Sequence, residues 1–287
     1  WLKPSRGRAQ PAPLPDRGGM ACCLCCCFSY YQDVAPPDIG DTIIESHDAS
    51  NHTISGENLQ LVEIEVPPQQ TMIGESGAFS YFREGIKIES LYGDGAYVTQ
   101  PGCCTLCGQC CSRSCSGEGA GLNHFTNETD EPKTLAFASD YPGQIIAVDL
   151  KEVEDNMIFA MNGSFVFAAK GTRVQAVRTD CKQCCFGAGC CFQKIDGNGI
   201  VFLNAGGTVI QQTLEGETHH IDSDSLVAFT KGLSVDVRRA GTCTTMCCGG
   251  EGVALTTVSG TGVYWLSSSP WNAQIKYALQ FLPPKKK

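Results

Sequence analysis

The sequence predicts an all-β protein made of three tandem β-sandwich-like repeats, related by pseudo-threefold symmetry within one composite domain. A pattern that occurs three times is the first observation behind this. Gly77-Ala78-Phe79-Ser80-Tyr81-Phe82, Gly163-Ser164-Phe165-Val166-Phe167-Ala168 and Asp224-Ser225-Leu226-Val227-Ala228-Phe229 are short apolar runs. Each leads through a Glu-Gly or Lys-Gly turn into a β-type strand that starts at Ile86, Thr172 or Leu233. The second observation is that a cysteine cluster follows each of these strands: Cys103, Cys104, Cys107, Cys110, Cys111 and Cys115; Cys181, Cys184, Cys185, Cys190 and Cys191; Cys243, Cys247 and Cys248. Repeated supersecondary units carry equivalent loops on one side, so the clusters are expected to share a rim. Composition is the third. With 32 glycines, 18% charged residues and many Val, Ile, Phe and Thr in short runs, the chain reads as strands joined by tight turns.

Residues 1–52 read as a flexible Cys- and Pro-rich segment, with Pro36-Pro37 and abundant Asp, Ser and Gly giving little core-forming power. Met20 precedes Ala21-Cys22-Cys23-Leu24-Cys25-Cys26-Cys27-Phe28, a compact start for a protein, so residues 1–19 are expected to be translated upstream sequence or a fragment of a longer precursor. Those nineteen residues hold no apolar run of the kind a secretory signal needs. The β domain is assigned to residues 53–270 and opens on the period-two run Leu59 to Val66, stopped by Pro67-Pro68. Asp140-Tyr141-Pro142-Gly143-Gln144 and Ala205-Gly206-Gly207-Thr208 read as turns that lead into equivalent strands, Ile145 to Leu150 and Thr208 to Leu214. Gly197-Asn198-Gly199 and Gly260-Thr261-Gly262 read as turns that join a second strand pair in the last two repeats. Over residues 271–287, apolar side chains alternate at Ile275, Tyr277, Leu279 and Phe281, which predicts an edge strand ended by Pro283-Pro284. A short interfacial helix with a Lys anchor is the alternative. A repeat of very roughly 60 to 80 residues is too short to stand alone, which favours one composite domain.

Charge excludes one class of partner. Taking the +3 at each end from the total of −9 leaves −15 for residues 20–284. A body this acidic repels phosphate backbones, and no basic stripe interleaved with aromatics is present, so nucleic-acid binding is not expected. No stretch approaches the roughly 20 apolar residues of a spanning helix. The Asn-x-Ser/Thr matches at Asn51, Asn127 and Asn162 are expected to be chance.

The cysteines offer two chemistries. Cys104-x2-Cys107-x2-Cys110, with Cys115 nearby, and Cys181-x2-Cys184 have spacings that place two thiolates on one ion, so Cys104, Cys107, Cys110, Cys115, Cys181, Cys184, Cys190, Cys243 and Cys247 are candidate ligands for zinc or another thiophilic metal. The vicinal pairs blur any single assignment. An iron–sulfur reading of the first run fails at its last spacing and at Ser116, where a proline would follow. Cys107-Gly108-Gln109-Cys110 matches a thioredoxin-type pair in spacing, but no βαβ unit surrounds it. Cys22, Cys23, Cys25, Cys26 and Cys27 flank Leu24 and Phe28 beside a flexible segment, where thiols are accessible to S-acylation. Two or more acyl chains make a stable anchor, each buried CH₂ contributing about 0.8 kcal/mol. His219-His220 is expected in an exposed loop, and His47, His52 and His124 have no convergent partners in sequence. No nucleophile-elbow context is present, so no catalytic residue is assigned.

From about Ser55 to Ser269 the chain resembles the altered-inheritance-of-mitochondria protein twenty-four family, whose triplicated β unit is similar to that of the tryptophan RNA-binding attenuation protein. The resemblance rests on Gly143-Gln144-Ile145-Ile146, Asp196-Gly197-Asn198-Gly199, Ala205-Gly206-Gly207-Thr208-Val209, Val227-Ala228-Phe229-Thr230, Gly249-Gly250-Glu251-Gly252-Val253 and Gly260-Thr261-Gly262-Val263-Tyr264-Trp265-Leu266. It implies a non-enzymatic protein linked to mitochondrial inner-membrane organisation and respiratory-complex integrity. Relatives tend to carry Gly-, Leu- and Phe-rich loops where this chain has cysteines, so the rim is where it departs from the pattern. The expectation is an intracellular, membrane-associated scaffold or assembly factor, mitochondrial by family resemblance. Its partners would be a membrane surface or membrane-protein complex, and a homo-oligomer is compatible with the fold. The alternative is a soluble metal-binding or thiol-redox protein that uses the same rim.

Overall fold

The computed structural model describes residues 47–92, 113, 119, 121–139, 141–178, 191–239, 254–279 and 281. Seventeen strands are present among them, and they fall into three equivalent sets. The first set is β2 (Leu61–Val66), β3 (Thr71–Gly74), β4 (Phe79–Phe82), β5 (Ile86–Tyr92), β6 (Gly121–Asn127) and β7 (Lys133–Ala138), preceded by an added strand, β1 (His52–Ser55). The second is β8 (Gly143–Asp149), β9 (Met157–Ala160), β10 (Phe165–Ala169), β11 (Arg173–Arg178), β12 (Cys191–Asp196) and β13 (Ile200–Gly206). In the third, the first two strands run on as β14 (Val209–Ile221) and the last two as β17 (Ala254–Ser267), with β15 (Leu226–Thr230) and β16 (Leu233–Arg239) between them.

Every repeat uses the same pairing. Its first, sixth and third strands form one antiparallel half-sheet: β2-β7-β4, β8-β13-β10, and the N-terminal part of β14 with the C-terminal part of β17 and β15. Its second, fifth and fourth strands form the other: β3-β6-β5, β9-β12-β11, and the remaining parts of β14 and β17 with β16. Half-sheets of successive repeats then join, β3 to β10 and β9 to β15. The third strand carries a bulge at one equivalent place each time, between Phe79 and Tyr81, Phe165 and Phe167, and Leu226 and Ala228. A bulge recurring at one position is a built feature that sets local twist. The all-β, triplicated architecture is therefore as the sequence predicts.

Burial explains the strand sequences. In β2 the alternation places Val62, Ile64 and Val66 wholly inside and leaves Leu61, Glu63 and Glu65 partly accessible. Strands β10 and β15 lie between neighbours with both faces covered, and for that reason they read as apolar runs, broken only by Thr230 at the end of β15. Stacked rings of Phe137, Phe167 and Phe202, with centroids 4.0 and 4.1 Å apart, cross the first junction between repeats. Phe159 and Phe229, 5.3 Å apart, occupy the second.

Four expectations change. The Gly-x-Gly segments do not close hairpins. β12 and β13 belong to different sheets, with Gly197 at φ 143° carrying the chain between them, and Gly260-Thr261-Gly262 lies inside the continuous β17. Glycine is required at Gly260, φ 115°, where an added Cβ would sit 2.4 Å from the Gly232 carbonyl oxygen. Second, the tail forms a helix, α1 (Trp271–Leu279), in place of an edge strand. The two-residue alternation also contains four-residue spacings, and Tyr277 meets Phe281 with ring centroids 5.1 Å apart. Pro270 immediately precedes the helix, its carbonyl accepting from the amides of Ala273 and Gln274. Third, His219-His220 lies in β14, paired with Val258 and Thr257, because the bend at Gly216 (φ 92°) lets one strand run on. Fourth, residues 47–51, assigned to the flexible segment, pack on the β domain: Ala49 is buried, and the Thr71 amide donates to His47 Nδ1 at 2.6 Å.

Candidate functional site

The fourth and fifth strands of each repeat form a hairpin, and the three cysteine clusters occupy the chain between them. The last cross-strand pairs are Tyr92 with Gly121, Arg178 with Cys191, and Arg239 with Ala254. The clusters are therefore attached to equivalent hairpin ends. Cys104, Cys107, Cys110, Cys115, Cys181, Cys184, Cys190, Cys243 and Cys247 lie outside the described residues, as do Cys22, Cys23, Cys25, Cys26 and Cys27. The zinc, acylation and common-rim expectations thus fall on residues whose placement is not described. Cys191, which ends the second cluster, is buried at the start of β12. No group of three or more His, Cys, Asp or Glu side chains is arranged for a metal among the described residues.

One residue inside the first cluster is placed. Arg113 is 2% exposed, and its guanidinium donates from Nη2 to Glu75 Oε2 at 2.5 Å and from Nε to the Gly119 carbonyl at 2.9 Å. The Gly119 amide donates to the other carboxylate oxygen, Glu75 Oε1, at 3.1 Å. Glu75 follows β3, and its own amide donates to the Val166 carbonyl within β10. A near-buried ion pair thus ties the cysteine-rich segment to the first junction between repeats. Sequence reasoning passed over it, although Arg113 is the sole cation between Gly102 and Ala120.

The histidines take structural places. His124, on β6, is 4% exposed, and its Nδ1 finds no hydrogen-bond partner among the described residues. Burial pulls its pKa down to about 4, with Lys170 adding to the effect and Glu89 opposing it. His219 Nδ1 lies 2.7 Å from the Tyr264 hydroxyl, and burial together with Glu217 pushes that phenol upward. Arg238 donates to His220 Nε2 at 3.0 Å. His52 packs edge-on against Phe202. The Asn127 match to the glycosylation pattern is closed off, since its side-chain nitrogen is buried and donates to Val66, Pro67 and Glu131 carbonyls.

Apolar side chains reach solvent on β5, on β11 and beyond β17. Ile88, Tyr92 and Val177 are exposed on the outer strands of their hairpins. On and just after α1, Tyr277 is 64%, Leu279 56% and Phe281 69% exposed. Among the described residues, no helix is long and apolar enough to cross a membrane.

The family model described as Mitochondrial biogenesis AIM24 matches residues 52–269. An uncharacterized protein of Streptococcus pyogenes serotype M6 is 26% identical over 211 residues, which is 72% of this chain and 81% of that protein. A crystal structure of a Streptococcus pyogenes protein superposes with a TM-score of 0.62 at 22% identity, covering 81% of this chain and 99% of that one, and so shares the fold. The matched stretch is more than half of the sequence and takes in all three repeats, so the chain belongs to the mitochondrial biogenesis AIM24 family.

Proposed function

We propose that the protein is a non-enzymatic, membrane-associated scaffold or assembly factor that supports mitochondrial membrane or respiratory-complex organisation. The observation that carries this reading is the segment that follows the β domain. Helix α1 presents Tyr277 and Leu279 to solvent, Phe281 follows, and the sequence continues into Lys285-Lys286-Lys287. Aromatic side chains suit the headgroup level of a bilayer, and each basic residue near an anionic surface contributes about 1 kcal/mol. The acidic body, −15 over residues 20–284, is repelled by the same surface. Contact through the C-terminus is thereby favoured over contact through the β domain. S-acylation of Cys22, Cys23, Cys25, Cys26 and Cys27 would add a second anchor, as stable attachment needs.

Flotation with vesicles tests the reading. Purified protein should float with phosphatidylcholine vesicles doped with anionic lipid, and less with phosphatidylcholine alone. The triple variant Tyr277→Ser, Leu279→Ser, Phe281→Ser, together with neutral residues in place of Lys285, Lys286 and Lys287, should stay at the bottom while keeping the wild-type circular dichroism. Equal flotation of that variant, or none by the wild type, would reject the C-terminal contact. Metal analysis of protein purified without oxygen addresses the alternative directly: stoichiometric zinc in a protein that never floats would favour the metal-binding reading.

A further inference from the structure

We propose that copies of this chain associate head to tail through β-pairing, β4 of one copy adding to the C-terminal part of β14 of the next. Within the chain, the second strand of one repeat pairs with the third strand of the following repeat, and this happens twice: β3 with β10 and β9 with β15. Three repeats contain one more strand of each kind. These are β4, the third strand of the first repeat, and Thr218 to Ile221 of β14, the second strand of the last. Each ends its sheet with no strand beyond it among the described residues.

Exposure shows that the two edges are unfilled where their equivalents are covered. Phe79 is 40% exposed, whereas the equivalent Phe165 and Leu226 are both 3%. Tyr81 is 41% exposed, whereas Phe167 and Ala228 are fully buried. Strand β3 is buried at all four positions, but the equivalent stretch of β14 has two exposed and two half-buried residues. An exposed apolar edge is a template for another chain. The occupant that matches is the complementary edge of a second copy, because that pairing already forms twice in this fold.

The register follows from the internal junctions. Phe167 faces Gly74, Ala168 faces Ile73 and Ala169 faces Met72; Ala228 faces Ala160, Phe229 faces Phe159 and Thr230 faces Ile158. Bulge positions and the β6, β12 and β17 partners fix the equivalences. The third junction then sets Tyr81 opposite Ile221, Phe82 opposite His220 and Arg83 opposite His219. Arg83 also comes diagonal to Glu217, an opposite-charge neighbour. Such an interface is heterologous. It closes into a ring if the rotation allows and otherwise propagates as an open chain.

Sedimentation of the full chain under reducing conditions tests the proposal, the reductant removing disulfide-linked species. Wild-type mass should rise with concentration above that of one chain. Tyr81→Lys leaves the β14 edge intact, and Ile221→Lys leaves the β4 edge intact. Each variant alone should sediment as a single chain, and an equimolar mixture should give a two-chain species and nothing larger. Both positions are solvent-accessible at a sheet edge, and circular dichroism checks that each variant is folded; should either unfold, His220→Lys and Ser80→Lys probe the same two edges. A wild type that stays single-chain at every concentration, or a mixture that restores no pairing although the wild type associates, overturns the proposal.

Discussion

His124 should make the protein acid-sensitive by a definite amount. The side chain sits on β6 and its Nδ1 has no partner among the described residues, so folding takes that nitrogen from water without a replacing hydrogen bond. Burial holds its folded pKa at about 4 against an ordinary value of 6.5. A histidine lowered on folding binds its proton more weakly in the native state. The unfolded chain therefore takes up the proton first as pH falls below 6.5, and stability declines until the native pKa near 4 is passed. Integrating between those values gives a loss of about 2 kcal/mol by pH 5 and about 3 kcal/mol below pH 4. Lys170 works in the same direction and Glu89 against it, so Glu89→Gln should enlarge the loss. The assay is chemical denaturation followed by circular dichroism at pH 7.5, 6, 5 and 4, for the wild type and His124→Leu. Carboxylates shared by both proteins drop out of the difference. The wild type should lose about 2 kcal/mol more than the variant by pH 5. Parallel stability curves for the two proteins would refute the argument, whatever their absolute offset.

Two further outcomes concern stability alone. Arg113→Ala leaves Glu75 with a near-buried charge and no guanidinium, and should cost about 3 kcal/mol in denaturant unfolding; adding Glu75→Gln should recover part of it, as a double-mutant cycle would measure. Gly143→Ala places a Cβ 2.2 Å from the Ala205 carbonyl oxygen in the β8–β13 ladder and should cost about 2 kcal/mol or more, whereas Gly77→Ala, with open space around it and only a φ of 97° against it, should cost about 1 kcal/mol; equal costs would show that the close approach does not matter.

Much of the architecture was written in local pattern. The Gly turns at Gly85 and Gly171, each at φ 104°, punctuate equivalent strands, and the runs before them form β4 and β10, as the run before Gly232 forms β15. What period and punctuation could not reveal was which neighbour a strand chooses. Gly197-Asn198-Gly199 looks like a hairpin turn because glycine permits positive φ in either role, and the choice between a hairpin and a passage from sheet to sheet is made by long-range packing. The tail was ambiguous for a related reason, since residues at every second position also fall four apart. The ion pair of Arg113 with Glu75 spans 38 positions and has no periodic signature at all.

The candidate interfaces were hidden in a different way. Phe79-Ser80-Tyr81-Phe82 echoes Phe165-Val166-Phe167-Ala168 in sequence, and the pattern alone does not separate the two. Hydrophobicity reports that a strand needs cover, but it does not report whether the cover comes from the same chain. A run of repeats joined through unlike edges always leaves one edge of each kind, unless the last repeat reaches the first. Here the leftover edges keep the apolar character of their buried equivalents on the β4 side, and the β14 side is the more polar, with Glu217, Thr218 and His220 exposed. Polar substitution on one edge limits unguided sheet extension without removing its pairing groups. The strength of association is then set by three residue pairs and their flanking charges, which places the contact among those governed by concentration at the site of action. Concentrating the protein on a membrane through its C-terminus would therefore promote the same contact, and vesicles should raise the assembled fraction of the wild type while leaving Ile221→Lys unassembled.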